Sequence, residues 1–141
     1  HKKKDEDTLV DLFDSNTLPI GLWDHYGRLR VVWTALYKKG LEDSLDQQGW
    51  LCTRWKAYKE SIGHGEKWHY TLTRFWVHII HNLNNSSEDF PSFEAFWVKH
   101  GESIKQGSYF RNFYSDAVMM DPKARTEWTP PDLKPLPSSS S

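Results

Sequence analysis

Cysteine is almost missing from this chain. Cys52 stands alone, so neither an intrachain disulfide nor a cysteine metal cluster is open to it. A reducing, cytoplasmic setting is the simplest expectation. Long apolar runs are missing too: none approaches the ~20 residues that cross a bilayer, and no signal-peptide pattern opens the chain. No membrane partner is therefore expected. Charge of one sign is also lacking, since 18 Lys and Arg face 19 Asp and Glu for a net −1. Even the run Lys2, Lys3, Lys4 is cancelled at once by Asp5, Glu6 and Asp7. Without a basic stripe, nucleic acid is not an expected partner. There is no glycine-rich phosphate loop, no Gly-x-Ser-x-Gly, no internal repeat and no β-type alternation. Asn84-Asn85-Ser86 and Asn85-Ser86-Ser87 fit the glycosylation pattern but read as coincidence in such a chain.

Aromatic residues are what the chain has in quantity: eight Trp, seven Phe and six Tyr in 141 residues. That length suits one domain able to bury roughly two-thirds of its unfolded surface without metal or disulfide. The expected fold is all-α, a compact antiparallel bundle of about five helices with an extended Pro-rich tail. Residues 1–21 read as a partly flexible leader holding at most a short helix, since Asn16, Pro19 and Gly21 break its apolar patch. Residues 22–137 read as the single helical domain, and 138–141 as a disordered tail. Asp24 is a fair N-cap for a first long helix carrying Leu29, Val32, Trp33 and Leu36, stopped by Lys38, Lys39 and Gly40. A second stretch, 41–61, carries Leu41, Leu45, Leu51, Cys52, Trp55 and Tyr58 and is weakened or divided by Gly49. A third helix over 66–83 has the widest apolar stripe, with Leu72, Phe75, Trp76, Ile79, Ile80 and Leu83. Further helices are expected after Pro91 and over 109–120, with Asp121-Pro122 capping a last short turn.

The histidines carry the functional argument. His25 continues the stripe of Leu29, Val32, Trp33 and Leu36, and His69 heads the stripe of Leu72, Trp76 and Ile80, so both point inward at the top of an apolar face. In an up-down-up bundle the first and third helices are parallel, which sets His25 and His69 at one end. The loop carrying His64 opens there as well, beside two helix N-termini that favour an anion or a neutral imidazole. Trp68-His69-Tyr70 with Thr71 and Thr73 is the densest polar–aromatic cluster and suits a flat small molecule. The blander reading of each residue stands beside this one. A first-turn His often only caps its helix, a loop His beside Gly is usually solvated, and His78, His81 and His100 fit surface, packing or helix-end roles. Arg28, Arg30, Arg74, Arg111 and Arg125 are the kind of residue that more often forms surface ion pairs. Cys52 reads as a small core residue with no base beside it.

Three stretches resemble a family of short, uncharacterised all-helical proteins of bacteria and fungi. His25-Tyr26-Gly27-Arg28-Leu29-Arg30 fits that family's His-x-x-His-Leu-Arg pattern except at Arg28. Trp68-His69-Tyr70-Thr71-Leu72-Thr73 is similar to its Tyr-His-Glu-Thr-Ile-Thr run, with Tyr70 in place of Glu. Pro122-Lys123-Ala124-Arg125 and Pro131-Asp132-Leu133-Lys134-Pro135-Leu136-Pro137 match its Pro-x-Ala-Arg and Pro-Asp-Leu-x-Pro-Leu-Pro closely. The resemblance covers about residues 22–137 and implies an all-α fold. It implies that His25 and His69 are the recurring histidines and that Arg125 and Asp132 share their pocket, but no activity. A metal centre of three His and one Glu would lose half its ligands here, at Arg28 and Tyr70.

The leading expectation is a small-molecule enzyme of specialised metabolism. His25 and His69 would be its acid–base pair, assisted by Tyr70, with Arg28, Trp68, Thr73 and Arg125 binding substrate. Dehydration, isomerisation or cyclisation suits that pair. The alternative is a non-catalytic module that binds a ligand or a partner protein. A third option is a metal-dependent enzyme using His25, His69 and His64, although the sequence requires no cofactor. Oligomeric state is not legible.

Overall fold

The computed structural model describes residues 2–85 and 89–137, with side chains from Thr8 onward. The glycosylation-like sites, which need Ser86 and Ser87, and the 138–141 tail lie outside the described residues. Seven α-helices and three short 3-10 turns follow one another with no strand among those residues. None of the helices is long and apolar enough to cross a membrane.

Helix α1 (Lys2–Asp14) is longer than the short helix expected of the leader, and it packs on α2 (His25–Leu45), α3 (Trp50–Ser61) and α5 (Phe93–Ile104). Leu9, Phe13 and Leu18 join the common core, where Phe13 is fully buried and stacks on Trp23 at 5.1 Å. Burying such a ring contributes roughly 1.5–3 kcal/mol, which is why this segment belongs to the body of the fold.

The Asp24 carboxylate caps α2 by accepting from the Gly27 N–H at 2.8 Å, satisfying a donor that the first turn leaves orphaned. A side chain at Gly27 would collide with the Leu22 carbonyl, 1.9 Å from where its Cβ would sit. Val31, Val32, Trp33, Thr34 and Ala35 are all buried, so α2 is surrounded rather than merely amphipathic, with α1, α3, α4 (Tyr70–Asn84) and α5 around it. The expected stop at Gly40 is a kink instead. Gly40 takes φ 87°, which costs other residues strain, and one further turn runs on to Leu45. Gly49 does divide the second stretch, as the residue preceding α3.

Helix α3 runs back along α2. Its first residue, Trp50, lies under Lys39 near the end of α2, while Trp55 meets Trp23 just before its start. Helix α4 then runs parallel to α2. Its buried face carries Tyr70, Thr71, Thr73, Phe75, Trp76, Val77, Ile79 and Ile80. Two contacts give the register: the His25 ring meets Trp76 at 5.0 Å, and the Trp33 indole donates to the Asn84 side-chain oxygen at 3.0 Å.

Helix α5 begins at Ser92, whose hydroxyl accepts from the Ala95 N–H. The single helix expected over 109–120 is not formed. A 3-10 turn (Gly107–Asn112) is followed by Phe113 and Tyr114 outside any helix, and α6 (Asp116–Met120) starts afresh from a Ser115 cap. The reason lies in the tail. The Phe113 carbonyl accepts from the Leu133 N–H, the Tyr114 hydroxyl donates to the Thr129 carbonyl at 2.6 Å, and the Ser115 N–H donates to Asp132. Those groups hold an extended strap that a continuous helix would leave unpaired. Helix α7 (Pro122–Thr126) has the Asp121 cap and first-position proline read from the sequence. The strap then crosses α4 at the buried Thr71, whose hydroxyl donates to the Glu127 carbonyl and accepts from the Thr129 N–H.

Candidate functional site

Where α2, α3 and α4 come together near the N-terminal ends of α2 and α4, they leave a cavity of about 130 Å³. Its walls are His25, Arg28 and Leu29 of α2, Trp55 and Lys59 of α3, His69, Leu72, Thr73 and Trp76 at the head of α4, Lys67 from the preceding 3-10 turn (Gly65–Lys67), and Gly107. The two histidines singled out from the sequence therefore line one cavity, but not at one level. Both register contacts join a residue of α2 to one of α4 numbered 51 higher, as the Trp33–Asn84 bond records. His25 is thus level with Trp76, two turns below His69, or about 10 Å along the axis at 1.5 Å per residue.

The hydrogen bonds separate the two rings further. His69 precedes α4 as its cap: Nδ1 accepts from the Leu72 N–H at 3.0 Å, and Nε2 donates to the Met119 carbonyl at 2.9 Å. Both nitrogens are committed to main chain. Burial pushes its pKa down, the Met119 carbonyl opposes this, and the Arg125 charge adds to it. His25 donates from Nε2 to the Ile104 carbonyl at 2.8 Å, and in the neutral ring Nδ1 is then the acceptor. That nitrogen lies 3.8 Å from where a side chain on Gly107 would begin.

Cations dominate the polar lining. Arg28, Lys59 and Lys67 face the cavity and no carboxylate does. The Nε of Arg28 is buried without a hydrogen-bond partner, and its guanidinium carbon sits 5.7 Å from the centroid of the Trp23 ring. Burial lowers the Arg28 pKa, against the pull of Asp24. Lys59 donates to the Lys67 carbonyl at 3.2 Å. Burial, with Arg28, Lys67 and Arg125 adding their charges and Glu66 opposing, brings its ammonium down to about 8. Leu29, Trp55, Leu72 and Trp76 supply the apolar walls.

Several residues expected at the site lie elsewhere. Tyr70 is buried away from the cavity, its hydroxyl donating to the Leu45 carbonyl and accepting from Arg74 at 3.3 Å. Trp68 is in the core rather than in the lining, and its carbonyl accepts from Arg125 Nε at 3.1 Å. Arg125 is thereby held outside the lining and acts on it only through its charge. Asp132 is exposed, pinned by the Ser115 N–H at 2.9 Å and pushed below the usual carboxylate range by its bonds to Ser115. His64 does not line the cavity, and among the described residues no three His, Cys, Asp or Glu side chains gather as metal ligands. The His25, His69 and His64 set is therefore not assembled. Thr73 does line the cavity, with its hydroxyl donating to the His69 carbonyl at 3.0 Å. Cys52 is buried and its thiol is raised to about 12, which leaves it inert at neutral pH.

Lys59 and Lys67 were not singled out from the sequence. The signal was present at Lys59, which follows Trp55 by one turn and extends the buried stripe of α3. A cation on an apolar stripe has its stem drawn into the interior, and its charged end must then find a partner there or reach water. No protein-family model, curated protein or solved structure matches the chain, so the resemblance in its three stretches rests on those residues alone.

Proposed function

We propose that this domain binds a small organic carboxylate. The anionic group would sit against Arg28 and Lys59, and the flat or branched body between Trp55, Trp76, Leu29 and Leu72. The observation that carries the reading is a cavity lined by the cations Arg28, Lys59 and Lys67 and by no acid. A carboxylate placed there would take charge-assisted hydrogen bonds from those cations, which are shorter and stronger than neutral ones. The cavity size sets the scale, because a space of about 150 Å³ accepts benzene.

Ligand binding thus takes precedence over acid–base chemistry by a histidine pair. A pair needs two exchangeable nitrogens near one substrate atom, and both His69 nitrogens are bound to main chain. A cytoplasmic setting belongs to the same proposal, and the lone buried thiol of Cys52 is what supports it.

Benzoate and the neutral benzamide are the test, followed through the indole N–H resonances of Trp55 and Trp76. Benzoate is expected to shift both, benzamide to bind at least about tenfold more weakly, and Arg28→Met to abolish the difference. Equal responses to the two compounds, or none, would overturn the proposal.

A further inference from the structure

Lys59 is a second cation of the cavity lining. It projects from α3, one turn after Trp55, into a space shared with Arg28 of α2. Its one hydrogen bond is to the Lys67 carbonyl, an acceptor that takes an N–H and leaves the nitrogen lone pair uncommitted when the amine is neutral. Beside it the Arg28 guanidinium lines the same cavity, and its charge bears on the Lys59 amine. A carboxylate held there would bring the adjacent carbon toward the amine, and in a 2-oxo acid that adjacent carbon is an electrophilic ketone.

We propose that Lys59 forms an imine with a short aliphatic 2-oxo acid whose carboxylate is held by Arg28. This deepens the carboxylate-binding reading and rests on it. The step balances within the two partners. The Nζ lone pair attacks the ketone carbon and the carbonyl π electrons move to oxygen. That oxygen then leaves as water with the two hydrogens of the amine, and the C=N bond remains. Apolar walls at Leu29, Trp55, Leu72 and Trp76 limit the water that would hydrolyse it. A desolvated lysine next to another cation is an activated nucleophile at neutral pH, and Lys59 has that setting. Arg28 faces it from α2, Lys67 and Glu66 from the 3-10 turn, Arg125 from α7 and His69 from the head of α4. Of these only Glu66 favours the charged amine, and the balance brings its pKa to about 8.

The experiment is reductive trapping of the full chain with 2-oxoisovalerate and sodium borohydride, read by intact mass and peptide mapping. Isovalerate, which lacks the ketone, is titrated in parallel through the Trp55 and Trp76 indole resonances. We expect a single adduct on Lys59, absent from Lys59→Arg and Lys59→Met, and reduced about tenfold or more in Arg28→Met. Its rate should rise with pH around a midpoint of about 8. Unchanged circular dichroism of both Lys59 variants guards against misfolding. Isovalerate binding without an adduct, or an adduct spread over surface lysines, would overturn the imine and leave carboxylate binding standing. Failure of isovalerate to bind would overturn the binding reading, and absence of both would overturn the two together.

Discussion

Two regions, one on α4 and one at the head of α2, are built from the same three residue types and come out differently. In one, Arg74 donates from Nε to His78 Nε2 at 3.1 Å and from Nη1 to the Tyr70 hydroxyl, with its guanidinium carbon 4.6 Å from the Trp128 ring centroid. In the other, Arg28 lies by Trp23 with His25 one turn away, and its buried Nε finds no partner. The first cluster leaves no buried side-chain donor or acceptor without a partner. The second is cationic, hollow and open-ended in its bonding. Composition does not distinguish them; satisfaction of donors does. An arginine whose donors are spent within the fold supports structure, and one that lines a cavity without an acid beside it is placed to hold an anion.

The comparison breaks most sharply in paired substitutions. Arg74→Met should lower stability by about 2–3 kcal/mol, through the lost bonds to His78 and Tyr70 and the lost stacking on Trp128, with benzoate affinity unchanged. Arg28→Met should do the reverse, weakening benzoate while leaving stability within about 0.5 kcal/mol of the parent. Urea melts beside the ligand titration check both. A loss of stability at Arg28 equal to that at Arg74 would erase the distinction.

A smaller effect separates the histidines. His69→Ala removes the cap of α4 and the bond to Met119, and should cost about 1–2 kcal/mol. His25→Gln keeps a donor for Ile104 and should move the melting temperature little, while the ligand response changes because Nδ1 is gone. Thermal melts and the indole titration read the two outcomes.

The smallest effect is a pH dependence. Burial, with Arg74 and His81 adding, holds His78 down to about 4 against its ordinary 6.5. Between those values the unfolded chain binds a proton that the folded chain refuses, so stability is full above the window and falls as pH drops through it. Allowing for the partial exposure of the ring, about 1 kcal/mol should be lost between pH 6.5 and 4 beyond what His78→Gln loses. Urea midpoints at both pH values give that difference.

Much of the frame was legible because it is local. Asp24, Gly49 and the Asp121-Pro122 step mark helix boundaries through their own backbone chemistry, and the stripes of α2, α3 and α4 follow from side-chain period. The convergence of His25 and His69 on one cavity followed from helix order alone. What stayed hidden depends on partners far along the chain. No local signal shows that the Thr129 and Leu133 backbone would claim Tyr114 and Phe113 and so interrupt the helix expected there. The two-turn stagger of α2 against α4 is set by how Trp76 and Trp33 pack. That stagger, with the Met119 carbonyl, turned an expected catalytic pair into one bound ring and one with a spare nitrogen.

The two carbonyls that fix the imidazoles have a consequence for how the molecule is made. Ile104 and Met119 lie 79 and 50 residues downstream of the rings they hold. On the ribosome the N-terminal part of a chain is free to fold first, so α2, α3 and α4 can associate before the segments that carry both anchors are free to pack on them. The nascent bundle then holds His69 only through the Leu72 N–H and His25 only against Trp76. The second anchor of each ring is set last, when α5 and the segment after it fold back onto the bundle.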